Sequence, residues 1–158
     1  MARSARGHAE GVAFEPERWA VLAEPSLVSV ARRRVGALAR SAGMVEPAAR
    51  DVELGVSEAV TNAVLHAFTG SGRPGTIELA VHVDVDGDAL IVEVIDDGSG
   101  LRPRDDSPGA GFGLGLIRRL TRTMTLTRPP GGGLSLRMAF PLMLRQSSAG
   151  PLGRGVAR

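Results

Sequence analysis

The sequence predicts an α+β fold, a two-layer sandwich with helices on one face of a mixed, mostly antiparallel sheet. Three observations carry that prediction. Thr76–Val85 sets Ile77, Leu79, Val81, Val83 and Val85 at alternate positions, as a half-buried strand requires. Asp86-Gly87-Asp88 then turns the chain into a second apolar run, Ala89–Ile95, so the two read as a hairpin. Upstream, Val52, Val56, Val60, Ala63, Val64, Ala67 and Phe68 recur at threes and fours, the stripe of a helix packed on that sheet. A run of strands flanked by helices, rather than strict alternation, points to helices gathered on one face.

The remaining elements follow in order. Phe14–Ala23 reads as a first strand. Pro25-Ser26 supplies a helix-start signal for residues 27–41, with Leu27, Val30, Ala31, Val35 and Leu38 on the apolar side and Gly43 as the stop. A second helix runs from Glu46, where Pro47 fits the first turn, to Phe68. After the hairpin comes a polar stretch from Asp96 to Gly111, then a short helix over Gly113–Arg122. Two further strands, 123–128 and 134–140, are joined by Pro129-Pro130-Gly131-Gly132-Gly133. Residues 1–13 and 143–158, rich in Gly, Ser, Ala and Arg and without periodicity, read as flexible termini around one domain at 14–142.

Bulk composition narrows the function classes. A chain of 158 residues with 43% hydrophobic content builds one core without staples. There is no cysteine, hence no disulfide framework, thiolate nucleophile or thiolate zinc site. No apolar run approaches the ~20 residues of a membrane span and no signal-peptide core opens the chain, so no membrane association and a cytoplasmic location are expected. The pI of about 10.7 resembles a nucleic-acid signature. The net charge is only +2, however, and all the basic residues among the Lys and Arg are arginine, which stays protonated to very high pH. A DNA-binding regulator would rest on arginine count alone, so no direct nucleic-acid partner is expected. No Asp or Glu follows Asp106, whereas eight arginines do, which suits either a triphosphate, an acidic partner or plain solvated surface.

Three segments carry chemistry. Glu58-Ala-Val-Thr-Asn62-Ala-Val-Leu-His66 spaces a carboxylate, a carboxamide and an imidazole by fours, about 40° past a full circle per step, as a slanted row beside the apolar stripe. Asn62 is the only asparagine in the chain, and its oxygen suits the water-rich shell that Mg²⁺ keeps when held mainly by substrate phosphates. Such a polar row is also the ordinary look of a solvated helix face. Ile95-Asp96-Asp97-Gly98-Ser99-Gly100 ends a strand; Asp96 can accept from an exocyclic amine such as adenine's, and the glycines let a ring approach the backbone, although a plain turn has the same composition. Gly109-Ala-Gly111-Phe-Gly113-Leu-Gly115 opens a helix, and such alternation can turn successive N–H groups toward an anion. It is not a P-loop, since the chain has no lysine, and a flexible hinge is the alternative.

The order of these elements decides between readings. A polar helix, Asp-x-Gly-x-Gly after a strand, a polar connection, Gly-x-Gly-x-Gly at a helix start and a Gly-rich turn into a last strand together resemble the GHKL ATPase superfamily, whose nucleotide site is the Bergerat fold. The likeness covers roughly residues 20 to 142. Ser57–Ala67 is most similar to the anti-sigma factor serine kinases. That resemblance implies Glu58 as general base, Asn62 as Mg²⁺ ligand, Asp96 as adenine reader, Gly98 and Gly100 as the adenine-pocket floor, and Gly111, Gly113 and Gly115 as the phosphate cradle. It further implies ATP and Mg²⁺ as cofactors, a sigma factor and a STAS-type anti-anti-sigma protein as partners, phosphorylation of the latter on serine, and a homodimer that includes the first helix. Histidine-kinase catalytic domains carry a second Asn where Glu58 stands. Two departures appear. The family usually places Thr after the last glycine, near adenine, whereas Gly133 is followed by Leu134, with Ser135 as the substitute. The connection from Gly100 to Gly111 is short, leaving Arg102 and Arg104 as its charged candidates for phosphate or partner. The rival class is an ATP-gated binding module without turnover.

Overall fold

Strand-forming alternation and two amphipathic stripes give the elements in the computed structural model, which describes residues 14–67, 72, 75–84, 86–98 and 112–145. Their order is β1 (Glu17–Leu22), α1 (Pro25–Ser41), α2 (Glu46–Asn62), a π-helical turn (Ala63–Ala67), β2 (Thr76–Val83), β3 (Ala89–Asp96), α3 (Phe112–Leu120), β4 (Thr123–Thr127) and β5 (Leu134–Pro141). The strands form one sheet in the order β1-β2-β3-β5-β4. Every pair is antiparallel. The expected α+β two-layer architecture is therefore present, with no parallel pair among the described strands.

The register fixes which side chains meet the helices. Ile77, Leu79 and Val81 of β2, Leu90, Val92 and Val94 of β3, and Leu136, Met138 and Phe140 of β5 share one core with Val52, Val56 and Val60 of α2, Val35 of α1 and Ile117 of α3. Alternate residues point to the other face, where Ala89, Ile91 and Ala139 form a small separate cluster. Two glycines on the helices let the layers close. A Cβ on Gly55 would lie 2.8 Å from the Phe140 ring, so α2 lies against β5 at that point. A Cβ on Gly36 would run into the Glu53 carboxylate, which α2 presents to α1. Arg40 of α1 joins the same contact, donating to Glu53 Oε1 at 2.7 Å and to Glu46 Oε1 at 2.8 Å.

Some boundaries and one face differ from the sequence reading. β1 begins at Glu17 rather than Phe14, α1 already at Pro25, and α3 stops at Leu120. On α1 the buried residues are Ala31, Val35, Gly36 and Ala39, while Val30 is 41% exposed. Val30 lies off the face that Ala31, Val35, Gly36 and Ala39 turn to their neighbours. The second helix does not run regularly to Phe68: α-helical geometry ends at Asn62 and wider π-helical turns follow. Among the described residues no helix is long and apolar enough to cross a membrane.

Candidate functional site

Glu58 and Asn62 stand one turn apart on α2, and both are half-buried. Their flank of the helix meets α3 at Gly113, in the first turn. A Cβ on Gly113 would lie 2.9 Å from Glu58 Oε2, 3.2 Å from Asn62 Nδ2 and 3.5 Å from Asn62 Oδ1. Any side chain there would press into the carboxylate and the carboxamide; glycine lets the first turn of α3 lie close against both. Gly115 is different, because a Cβ on it would meet nothing within 4 Å. Crowding thus explains Gly113 and not Gly115. His66, third in the sequence row, falls within the π-helical turn, so its backbone has left the α-helical phase that the row needs; its side chain lies outside the described residues.

A second cluster forms where β3 ends. Asp96 is only 6% exposed and is the one buried charged side chain among the described residues. Its parity matches Val92 and Val94, so it faces the helix layer. The Gly98 N–H donates to Asp96 Oδ1 at 3.0 Å. Burial pushes the Asp96 carboxyl above the ordinary aspartate range; the Gly98 and Leu134 N–H groups oppose that rise and the neighbouring Asp97 charge adds to it. Gly133 closes the cluster. Its φ is +82°, and a Cβ on it would collide with the Asp96 carbonyl oxygen, so only glycine brings the turn before β5 against this residue.

The register corrects one expectation. Leu134 pairs with Asp96 and shares its face, whereas Ser135 pairs with Ile95 and lies with Arg137 and Ala139 on the opposite face. Period-two geometry makes this unavoidable: a residue one position after a site-facing one points away from the site. Ser135 therefore cannot stand in for a hydroxyl beside Asp96. Gly100, Gly111, Arg102 and Arg104 lie outside the described residues.

Both clusters lie on the helix side of the sheet, and α2, which carries the first, packs over β3, which carries the second, and over β5. What they fit chemically follows from their donors and acceptors. Asp96 offers a shielded acceptor for an amine, and the first turn of α3 brings backbone N–H groups, which suit an anion, to the helix flank that carries Glu58 and Asn62. Asn62 presents a neutral oxygen there and Glu58 a carboxylate. No group of three His, Asp or Glu side chains converges among the described residues. A hard cation held there would accordingly take most of its oxygens from phosphates and water, as Mg²⁺ commonly does.

With this geometry in view, the histidine kinase-like ATPase domain model matches residues 21–140. The chain belongs to that family. A histidine kinase-like ATPase relative, the serine-protein kinase RsbW of Listeria innocua serovar 6a, is 39% identical over 77 residues, covering 49% of this chain and 47% of its own. The chain thus spans about half the length of the RsbW relatives it matches. The anti-sigma F factor of Thermoanaerobacter sp. is 27% identical over 121 residues, 70% of this chain and 82% of that protein. The crystal structure of the RsbU and RsbW domains of a Mycobacterium tuberculosis protein superposes with a TM-score of 0.63 at 20% identity, covering 80% of this ATPase-family chain and 32% of that one. At that identity the likeness speaks for the fold. Glu58 and Asn62 are thus brought together on α2, and Asp96 with Gly98 at the end of β3; that Gly113 is fitted against Glu58 and Asn62, a contact between segments more than 50 residues apart, is announced by no local pattern in the sequence.

Proposed function

We propose that the protein is a Mg²⁺-ATP-dependent serine kinase that acts as an anti-sigma factor and phosphorylates a STAS-type anti-anti-sigma protein. The observation that carries this reading is that Glu58 and Asn62 stand together against Gly113 in the first turn of α3; a carboxylate to serve as base and a carboxamide oxygen to serve as cation ligand would then lie beside one helix start. The names of the two relatives, a serine-protein kinase and an anti-sigma factor, support it. In the reaction a serine hydroxyl oxygen bonds to the γ-phosphorus as the bond from that phosphorus to the β–γ bridging oxygen breaks. ADP leaves and the hydroxyl proton passes to Glu58. Mg²⁺, when bound, would neutralise charge on the phosphates. Asn62 would hold it, N–H groups at the start of α3 would steady the transferred group, and Asp96 would accept from the adenine amine.

The test is transfer of radiolabelled γ-phosphate to purified STAS-domain proteins of the source organism. Losing a positioned base costs about 10²–10⁴ in rate. Glu58→Ala should keep ATP binding and lose labelling by that order; equal labelling by both proteins removes Glu58 from the mechanism. The second reading, an ATP-gated binding module, is favoured by the apolar Leu134 beside Asp96. Absence of transfer by the wild type to every such protein, with ATP binding retained, would select it.

A further inference from the structure

On the reading of Glu58 as the group that takes the serine proton, the side chains beside it on α2 are the first surface that an acceptor protein meets. Leu54 stands one turn before Glu58 and Thr61 almost one turn after it, so the three make one stripe on the helix. That stripe faces away from the core, since Val52, Val56, Ala59 and Val60 are buried on the other side. Leu54 is 42% exposed. Leu65 follows in the π-helical turn and is 57% exposed. Neither leucine belongs to the core cluster, and they stand on either side of Glu58 along the chain. A single exposed leucine is ordinary on a protein surface. A pair that brackets a reactive carboxylate suits a macromolecular acceptor, because a hydroxyl carried on a folded protein arrives together with the surface around it.

The neighbouring helices set the charge of this surface. α3 packs on the Glu58 flank of α2 and exposes Arg118 and Arg119, with no acidic residue in its length. On the other flank α1 meets α2 where Gly36 lies against Glu53. Arg32 and Arg33, one turn back from Gly36 and on its side of α1, are exposed as well. Against these four arginines α2 itself sets Asp51 and Glu58, while Arg50 is paired with Glu46. The face is therefore apolar along its centre and basic along both rims, the arrangement of a protein contact rather than of a small-molecule pocket. We propose that the outward face of α2, with Leu54 and Leu65 as its apolar anchors, is the surface on which the protein carrying the acceptor serine docks, and that this protein is apolar at the contact and acidic around it. The proposal rests on the kinase reading.

The experiment is steady-state γ-phosphate transfer by the intact chain to the purified STAS-domain protein that the wild type labels, with kcat and the KM for that protein measured separately. Leu54→Ala and Leu65→Ala should each raise KM by about 3- to 10-fold, and Leu54→Asp by about tenfold or more, with kcat changed by less than about twofold. Calorimetry should give the three variants the ATP affinity of the wild type. Met143→Asp, which puts the same charge on an exposed side chain beyond the far end of β5, should leave KM alone. Arg33→Glu combined with Arg119→Glu should raise KM by about tenfold in dilute buffer and flatten its rise with salt. Wild-type KM in both leucine positions overturns the proposal, and so does a change of oligomeric state on light scattering with KM unmoved, which would assign the face to a second copy of the chain. A KM indifferent to salt and to the arginine substitutions overturns the acidic character of the partner. A wild type that labels no STAS-domain protein overturns the kinase reading and this surface with it; the two failures are distinguishable, because the first is seen only where labelling occurs.

Discussion

Gly113→Ala adds one methyl group where α3 meets the polar face of α2, and it separates stability from function. Gly113 has no positive φ, so alanine brings no backbone strain. In a helix it removes the entropy cost of glycine, worth up to about 1 kcal/mol. Against that gain stands the contact: the methyl would lie 2.9 Å from Glu58 Oε2, short of the 3.4 Å at which ordinary contact begins, so the carboxylate must retreat by about half an ångström. Glu58 is a long side chain whose tip can swing, and the fold absorbs the change cheaply. The chemistry does not, since a misplacement of about 1 Å can reduce a rate by about 10²-fold, and half that distance by about tenfold. The variant should therefore melt no lower than wild type, higher by up to about 2–4 °C for a domain of this size, while transferring phosphate about tenfold more slowly. Circular dichroism melting and γ-phosphate transfer measure the two effects, with Gly115→Ala as the control because its methyl meets nothing. Wild-type transfer by Gly113→Ala would refute the assignment of that contact to the site. A large drop in melting temperature would refute the claim that Glu58 yields.

The other predictions test neighbouring links. Asn62→Ala should abolish Mg²⁺-dependent ATP binding and leave the circular dichroism spectrum unchanged, since the side chain borders the core without filling it; wild-type affinity by calorimetry would rule out a cation role. Gly133→Ala should destabilise by about 1–3 kcal/mol in urea melts, because φ is +82° and the new methyl strikes the Asp96 carbonyl, whereas Gly131→Ala, whose methyl meets nothing, should be near neutral. Asp96 has its carboxyl raised above the unfolded value, so its contribution to stability is fully present below about 3.8 and declines as pH rises through the folded pKa. Asp96→Asn should remove that slope from stability measured between pH 3 and 7 and weaken ATP binding; an unchanged slope would show that the carboxylate is not destabilised by its burial. Val30→Glu should convert a homodimer built with α1 into a folded monomer by light scattering, since Val30 is exposed whereas Leu38 packs against the core; a wild type already monomeric at micromolar concentration defeats the idea.

Most of the fold was legible because its signals are local. Alternation from Ile77 to Val83 and the Asp-Gly-Asp turn specify β2, β3 and their antiparallel pairing from within one stretch of chain. The positions of Glu58 and Asn62 one turn apart on a helix, and of Asp96 at a strand end, were likewise legible from spacing. Three features were not. The π-helical turn after Asn62 arises inside a segment whose apolar spacing continues smoothly, so periodicity gives no warning of it. The outward turn of Val30 depends on which face of α1 its neighbours occupy, and that face is the one with Ala31, Val35, Gly36 and Ala39, which the apolar spacing alone does not single out. The assignment of Ser135 failed for a sharper reason, since it treated adjacency in sequence as adjacency in space, which a strand reverses at every step.

Glycine links the legible and the illegible parts. In the sequence, Gly113, Gly115 and Gly133 look alike, each belonging to a glycine-rich tract that permits unusual backbone geometry. In three dimensions they do different things. Gly133 combines a left-handed backbone with a contact on Asp96, Gly113 has ordinary helical geometry but is packed closely against Glu58 and Asn62, and Gly115 is under neither constraint. What sets Gly113 and Gly133 apart is thus the close approach of a second segment, to the Glu58 carboxylate at the one and to the Asp96 backbone at the other. Counting glycines cannot reveal those positions, whereas substituting alanine at each of the three in turn should, because backbone strain, local crowding and open space predict three different pairings of stability with activity.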